Sequence, residues 1–418
     1  MSTARVRVES IAAGGDGVAR ADGMAVFIPR TAPGDVVDAS LDVRGRFARG
    51  AIRAIVEPSL DRVDPPCVHY TRDHCGGCQL QHLSYVAQLR AKSAIVRDAM
   101  QRIGKRDVEP VDVRPSPSEW AYRTKLTLAM RWRGDRLIAG LHPFDKPDAI
   151  FQLEECLITD DRVVAIWKQI FAAASLLPRA AQLRGAVRLT TDGASFVLEG
   201  GSQWSTAEAL AKRVPALSTV WWEPGGQRRR LLVDRRRDGV GASEAHDPKS
   251  PDASFTQVNA AGAEQLHAYV IGVARAHAPA VVIDAYAGAG ATAIALAGAG
   301  MRVTAIELDG AAARWVAAHL PPGSRAVVGR VEDVIGDALP ADVVILNPPR
   351  AGVDERVTSV LQEATPPRAI VYVSCNPATL ARDVQRLSRY RIASMLSFDM
   401  FPQTAHVETV CELVPEAA

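Results

Sequence analysis

A chain of 418 residues with 48% hydrophobic and 23% charged residues has the composition of a soluble globular protein, and is too long for one ordinary core, so two or three domains are expected. A net charge of only +2 excludes a strong global field, so any nucleic-acid partner must be met by a local patch. The most apolar window, 281–300, is broken by Asp284 and glycines and falls short of the ~20 apolar residues of a membrane span, and the amino terminus has no apolar signal core.

The cytoplasm is therefore the expected compartment, with no membrane partner, and there six cysteines speak for metal or catalytic roles rather than disulfides. In chain order, Arg5–Ile11, Met24–Pro29 and Val36–Val43 read as short strands separated by Gly and Pro turns, which predicts a small β-barrel over 1–58. Arg44, Arg46, Arg49 and Arg53 are its candidate basic track, with a merely solvated surface as the equal alternative. A cysteine- and glycine-containing loop at 65–80 precedes a helix from about 83 to 103, where Leu89, Val96 and Met100 recur at helical spacing and the opposite face is basic.

The stretch 111–240 mixes strands at Lys125–Met130 and Ser195–Leu198 with a helix near 161–177, so 59–250 is read as a central α+β domain. It contains Trp120–Lys125, where aromatic and basic groups suited to RNA stacking and phosphate contact occur together. Its densest basic run, Arg228, Arg229, Arg230, Arg235, Arg236 and Arg237, reads as a strand with exposed ends. Gly, Ser, Asp and Pro at 240–252 mark a linker. Beyond it, apolar runs at 281–283, 302–306, 342–346 and 369–373 alternate with helical stretches, the pattern of a doubly wound α/β sheet over 251–418.

Cys67, Cys75 and Cys78 have the spacing Cys-x7-Cys-x2-Cys, Gly76 and Gly77 permit the tight turn between the last two, and Cys156 can supply a fourth ligand. Four thiolates suit an iron-sulfur cluster or structural zinc, and His69 and His74 keep a mixed zinc site open.

In the last domain the strand ending at Ala285 runs into Tyr286-Ala-Gly288-Ala-Gly290, a strand-to-helix turn where missing side chains let a ligand approach the backbone. Glu307 follows Asp284 by 23 residues, at the end of the next strand, where a carboxylate can accept both hydroxyls of a ribose. Gly288, Gly290 and Ala293 also satisfy a loose dinucleotide pattern, but Asn347-Pro348-Pro349-Arg350 after a later strand speaks against that cofactor. Cys375 closes the following strand, at the same ligand-binding edge, before Asn376-Pro377.

The run Val-Ser-Cys375-Asn-Pro-Ala-Thr-Leu-Ala-Arg-Asp, with Asn347-Pro-Pro-Arg upstream and Asp-Met-Phe-Pro-Gln-Thr-Ala-His-Val-Glu408 downstream, resembles the RNA uracil-C5 methyltransferase family. The likeness is close over 251–412, and the cysteines and the amino-terminal barrel extend it over most of the chain. It implies a class I methyltransferase domain using S-adenosylmethionine, with Cys375 as nucleophile and Glu408 as general base. It further implies that Gln257, Tyr286, Gly288, Gly290, Glu307 and Asn347 form the cofactor edge, that the four cysteines hold a [4Fe-4S] cluster, and that the barrel is a TRAM module. Two positions depart from the family: Asn347 stands where Asp is common and Ala291 where Asn is common, which alters the expected cofactor contacts. Cys411 is expected to be core packing.

The barrel and the cysteines point to ribosomal RNA, 23S foremost, over transfer RNA as partner, the oligomeric state being open and compatible with a monomer. Two other readings compete. An amino methyltransferase would use the Asn-Pro-Pro turn followed by an aromatic residue, a position held here by Arg350, and would not need Cys375. An iron-sulfur RNA-binding protein with a relic methyltransferase domain would need neither Cys375 nor Glu408.

Overall fold

The computed structural model describes residues 2–236 and 257–416, so the expected linker at 240–252 and Arg237 lie outside the described residues. Five strands, β1 (Ser2–Ile11), β2 (Gly17–Ala21), β3 (Met24–Ile28), β4 (Val36–Arg44) and β5 (Phe47–Glu57), close a barrel in the order β1-β2-β3-β5-β4. Alternation fills it: Val6, Val8, Val26, Ile28, Val37, Ala39 and Leu41 point inward, and closure removes exposed sheet edges. The predicted arginine track is exposed and partly neutralised, Arg44 by Asp42 and Arg49 by Asp16.

The barrel is fastened to the cysteine loop by polar contacts. Arg62 pairs with buried Asp35 at 2.7 Å, and His82 bridges the Tyr70 hydroxyl (2.7 Å) and the Thr31 carbonyl (3.1 Å). Arg30, in a left-handed conformation at φ 61°, stacks on Tyr70 with its guanidinium carbon 3.8 Å from the ring centre.

The central sheet has the order β12-β11-β10-β9-β7-β8, from β7 (Lys125–Arg133), β8 (Arg136–Gly140), β9 (Leu183–Thr190), β10 (Gly193–Glu199), β11 (Leu217–Glu223) and β12 (Arg230–Asp234). Helices Asp161–Ala172 and Ala207–Arg213 cover one face around Trp167, Phe196 and Leu210. The basic run frames β12, and four of its arginines are held: Arg229 by Glu223, Arg230 by Gln227, Arg235 by the Ala211 carbonyl and Arg236 by Asp234.

The third body is an eight-stranded sheet, order β15-β14-β13-β16-β17-β19-β18-β6. It comprises β13 (Val281–Ala285), β14 (Arg302–Glu307), β15 (Arg325–Val328), β16 (Val343–Leu346), β17 (Ala369–Ser374), β18 (Tyr390–Phe398), β19 (Glu408–Pro415) and β6 (Asp112–Arg114). β13 to β17 are parallel, and β19 is inserted antiparallel beside β17. The parallel strands are apolar on both faces because helices cover both, as doubly wound sheets require. Cys411 lies fully buried in that core.

Helix Tyr85–Arg102 and β6, which the sequence places with the central domain, pack with this third body: Ala99 and Met100 join its core, and β6 extends its sheet beyond β18. The basic residues of the helix are not all on its surface: Lys92 is fully buried and its ammonium meets Asp399 at 2.5 Å. Removing one member of a buried pair strands the other charge. Lys92→Met is therefore expected to lower unfolding free energy by about 3–5 kcal/mol, measured by urea denaturation, with Lys92→Met/Asp399→Leu recovering most of the loss. Among the described residues no helix is long and apolar enough to cross a membrane.

Candidate active site

The strand order reverses direction at β13, which has β14 on one side and β16 on the other, and ligands of open α/β sheets bind beyond the carboxyl ends of strands at such a point. Four of the predicted residues are gathered there by consecutive strand ends. Tyr286 and Gly288 follow β13, Glu307 ends β14, and Asn347 follows β16 with its N–H on the Ala285 carbonyl at 3.3 Å.

The turn after β13 is conformationally demanding. Tyr286, Gly288 and Gly290 all have positive φ, at 63°, 56° and 78°. A β-carbon on Gly290 would come within 2.4 Å of Val316, so that position requires glycine for packing as well as for backbone shape. Tyr286 tolerates a left-handed conformation that disfavours side chains, the kind of strain found at ligand clamps. Glu307 spans the turn, accepting the Gly288 N–H and the Asp309 N–H, both at 2.8 Å. Beneath it Asp284 is buried, one carboxylate oxygen lacks a hydrogen bond, and burial raises its pKa to about 7.

Gln257 is half-buried on the segment leading into helix Ala260–Ala276. Its neighbour Val258 accepts the Thr124 N–H, and Asn259 caps the helix through the Gly262 N–H while donating to the Met400 carbonyl. The segment thus joins the central sheet to the connection that carries Glu408.

Cys375 and Glu408 come together because β19 runs antiparallel beside β17, with Ser374 opposite Thr409. Cys375 is partly exposed at the strand end, whereas Glu408 is only 6% exposed. Burial raises the thiol's pKa, the nearby Glu408 charge raises it further, and the Arg350 guanidinium pulls it back down. Burial lifts Glu408 from an ordinary 4.5 to about 7, again partly offset by Arg350. The site is therefore a thiol and a carboxyl facing one cation. Arg350 is held in turn by the thiol's own loop: the Asn376 amide and the Thr379 hydroxyl both donate to its carbonyl. In the sequence Arg350 stands out as the last residue of the Asn-Pro-Pro turn, and nothing in that motif shows which way its side chain turns.

A carboxyl whose folded pKa is raised favours the protonated fold, so its contribution to stability is present at low pH and is lost as pH climbs from about 4.5 through 7. Glu408→Gln is expected to flatten that decline, and Asp284→Asn to remove the part due to Asp284, in urea melts taken across this window.

The four cysteines predicted as ligands line the wall of one cavity of about 250 Å³, together with Gln81, Arg123 and Lys125. As placed, no three His, Cys, Asp or Glu side chains among the described residues converge on a metal-binding point. Burial pushes the Cys75 thiol up to about 11 and raises Cys78 and Cys156. Both histidines of the mixed-ligand alternative are committed elsewhere. His69 meets Asp73 at 2.7 Å through one nitrogen and accepts the Glu154 N–H at 2.9 Å through the other, while exposed His74 meets Asp145 and stands outside the cavity lining. Thiols are thus the soft donors available to a metal here.

Tyr122 corrects the expectation of a base-stacking segment at 120–125, since it is buried and its hydroxyl donates to the Pro402 carbonyl at 3.0 Å. Trp120 packs partly buried against the same cysteine-side cluster.

Residues 323–414 match the family model described as tRNA (uracil-5-)-methyltransferase, and residues 1–52 match the TRAM domain. The chain is 31% identical to an uncharacterized RNA methyltransferase of Halalkalibacterium halodurans over 98% of this chain and 96% of that one. A counterpart from Thermosynechococcus vestitus is 30% identical over 99% and 98%. Among solved structures, the Pyrococcus abyssi tRNA (uracil-54, C5)-methyltransferase in complex with S-adenosyl-L-homocysteine superposes with a TM-score of 0.72 at 23% identity, covering 98% of this chain and 99% of that one.

Proposed function

Because this chain belongs to the RNA uracil-C5 methyltransferases that carry a TRAM domain, we propose that it methylates C5 of a uridine through a covalent adduct between Cys375 and C6. The observation that carries this reading is the convergence of Cys375, Glu408 and Arg350 beside the ligand edge formed by Gly288, Glu307 and Asn347. S-adenosylmethionine, when bound, would supply an electrophilic methyl on its sulfonium, and Glu307 would be the residue to accept its ribose hydroxyls. The Cys375 thiolate adds to C6, and the C5–C6 electron pair becomes an enolate. C5 then takes the methyl, and the sulfonium leaves as a thioether. Glu408 removes the C5 proton, the C6–sulfur bond breaks with its electrons returning to sulfur, and the C5–C6 double bond is restored. Uracil C5 is too weakly nucleophilic for direct transfer, which is why a thiol is required, and the proton left on C5 after transfer is why a base is.

Proton removal needs the Glu408 carboxylate. Adduct release is accordingly expected to fall as pH drops through about 7, while adduct formation rises towards higher pH with the thiol, measured separately by single-turnover quench.

Cys67, Cys75, Cys78 and Cys156 are proposed to hold a [4Fe-4S] cluster with a structural role, supported by four thiols on one cavity and by histidines engaged elsewhere. Protein purified anaerobically is expected to contain iron and sulfide in equal amounts, with Cys78→Ser losing both. Zinc without sulfide would overturn the cluster.

Ribosomal RNA is the proposed substrate, on the barrel and cysteine centre together. Transfer RNA is the second reading, favoured by likeness along nearly the whole chain to a fold whose archaeal example acts on tRNA. The deciding experiment incubates the protein with unmodified ribosomal and transfer RNA and methyl-labelled cofactor, then maps the label. Label anywhere but uracil C5 would sink the reading.

A further inference from the structure

The connection 399–407 joins β18 to β19 and delivers the chain directly into Glu408, and it is held chiefly by residues from the amino-terminal half. Lys92 binds both the Asp399 carboxylate (2.5 Å) and the Phe401 carbonyl (3.1 Å), Tyr122 binds the Pro402 carbonyl (3.0 Å), and Asn259 binds the Met400 carbonyl (3.1 Å).

The tightest knot is Gln403. It is 2% exposed and left-handed at φ 69°, a conformation that costs free energy for a residue with a β-carbon and persists where the surroundings over-determine it. Here they do. Its N–H donates to the Gln88 side-chain oxygen and its own side-chain oxygen accepts from the Gln88 amide, both at 2.9 Å across 315 positions of sequence. Its carbonyl accepts the N–H groups of Gln79 (3.1 Å) and Leu80 (3.0 Å), the two residues that follow Cys78. The second Gln88 amide hydrogen goes to the Leu83 carbonyl at 3.0 Å.

We propose that Gln88 and Gln403 are positioning residues that lock the Glu408 segment in place, and so govern discharge of the covalent adduct rather than its formation. This rests on the reading of Glu408 as the base. The two steps separate because the nucleophile has its own support: Cys375 follows β17, and its loop is bonded to Arg350 through Asn376 and Thr379. Loosening that connection displaces the base and leaves the thiol where it was. Proton transfer demands hydrogen-bond reach, and misplacement of about 1 Å can cost on the order of 100-fold.

The test is single-turnover reaction of the full-length protein with methyl-labelled cofactor and unmodified ribosomal or transfer RNA, whichever takes label, resolved on denaturing gels that show the protein–RNA adduct. Gln88→Met preserves side-chain length and removes both Gln403 bonds. Its methylated adduct is expected to form within about threefold of the unsubstituted rate and to discharge roughly 10- to 100-fold more slowly. Gln88→Asn keeps an amide but shortens its reach, and carries the same expectation should the methionine variant not fold. Discharge at the unsubstituted rate, or formation and discharge slowed in equal proportion, would overturn the lock. Glu408→Gln, run alongside, separates the two claims: if it traps no adduct the base assignment fails, and if it traps adduct while both Gln88 variants discharge normally, only the lock fails.

Discussion

Cys375→Ala is expected to abolish methylation of RNA, with single-turnover transfer falling on the order of 10⁴-fold or more, while S-adenosylmethionine still binds. The separation follows from the strand order. The proposed cofactor edge lies at the ends of β13, β14 and β16, whereas Cys375 follows β17, on the far side of β16 from β13. Alanine removes the sulfur without disturbing the Ser374 hydroxyl, which accepts the Asn376 N–H at 3.1 Å, or the Asn376 bond to the Arg350 carbonyl. The measurement pairs calorimetric titration of the cofactor with a gel assay for adduct. Retained methylation would transfer the reading to an exocyclic amine chemistry, which has no use for a thiol. Absence of cofactor binding by the unsubstituted protein would instead favour a non-catalytic RNA-binding role.

Arg350 connects the two reactive groups. Its charge pulls both the thiol and the carboxyl down and so offsets part of the burial that leaves each of them raised. The Asn-Pro-Pro turn places it: the prolines fix the backbone after β16, and Asp383, buried and bonded to the Tyr372 hydroxyl at 2.7 Å and the Val353 N–H at 3.0 Å, braces the far side of the turn. Asn347 in place of the common Asp keeps a further negative charge away from this cluster.

Local signals carried most of the fold. Alternation announced β1, β3 and β4, and continuous apolar runs announced β13, β14, β16 and β17, because burial on one face or two leaves different periods in the sequence. Partnerships were less legible. That β19 inserts antiparallel beside β17, and so carries Glu408 to the thiol, depends on tertiary pairing that neither strand's composition encodes. β6 is three residues long, too short for periodicity, and only its place beyond β18 identifies it. Gln88 and Lys92 look like ordinary polar positions on an amphipathic helix, yet both are buried, because their partners arrive from the far end of the chain. Tyr122 misled in the opposite direction. An aromatic residue flanked by basic ones suggests stacking, but its hydroxyl found a carbonyl and its ring a core.

Glu408→Gln should behave in a different way from loss of the thiol. The amide is nearly isosteric and remains neutral, as the buried carboxyl is below about pH 7, so the fold has no new charge to accommodate. Addition of Cys375 and transfer of the methyl do not call on the base, and with the neighbouring carboxylate gone, the thiol loses one influence that raises it. Adduct formation should therefore be retained or modestly faster. What fails is removal of the C5 proton, and a missing general base costs about 10²–10⁴-fold. The methylated RNA should consequently accumulate as a covalent complex with the protein, stable to denaturation and released only by digestion of one partner. A variant that turns over freely, or one that forms no complex while Cys375 is intact, would remove Glu408 from the role of base. The charge balance around Arg350 makes the two outcomes separable, since it predicts that the same substitution slows one step and eases the other.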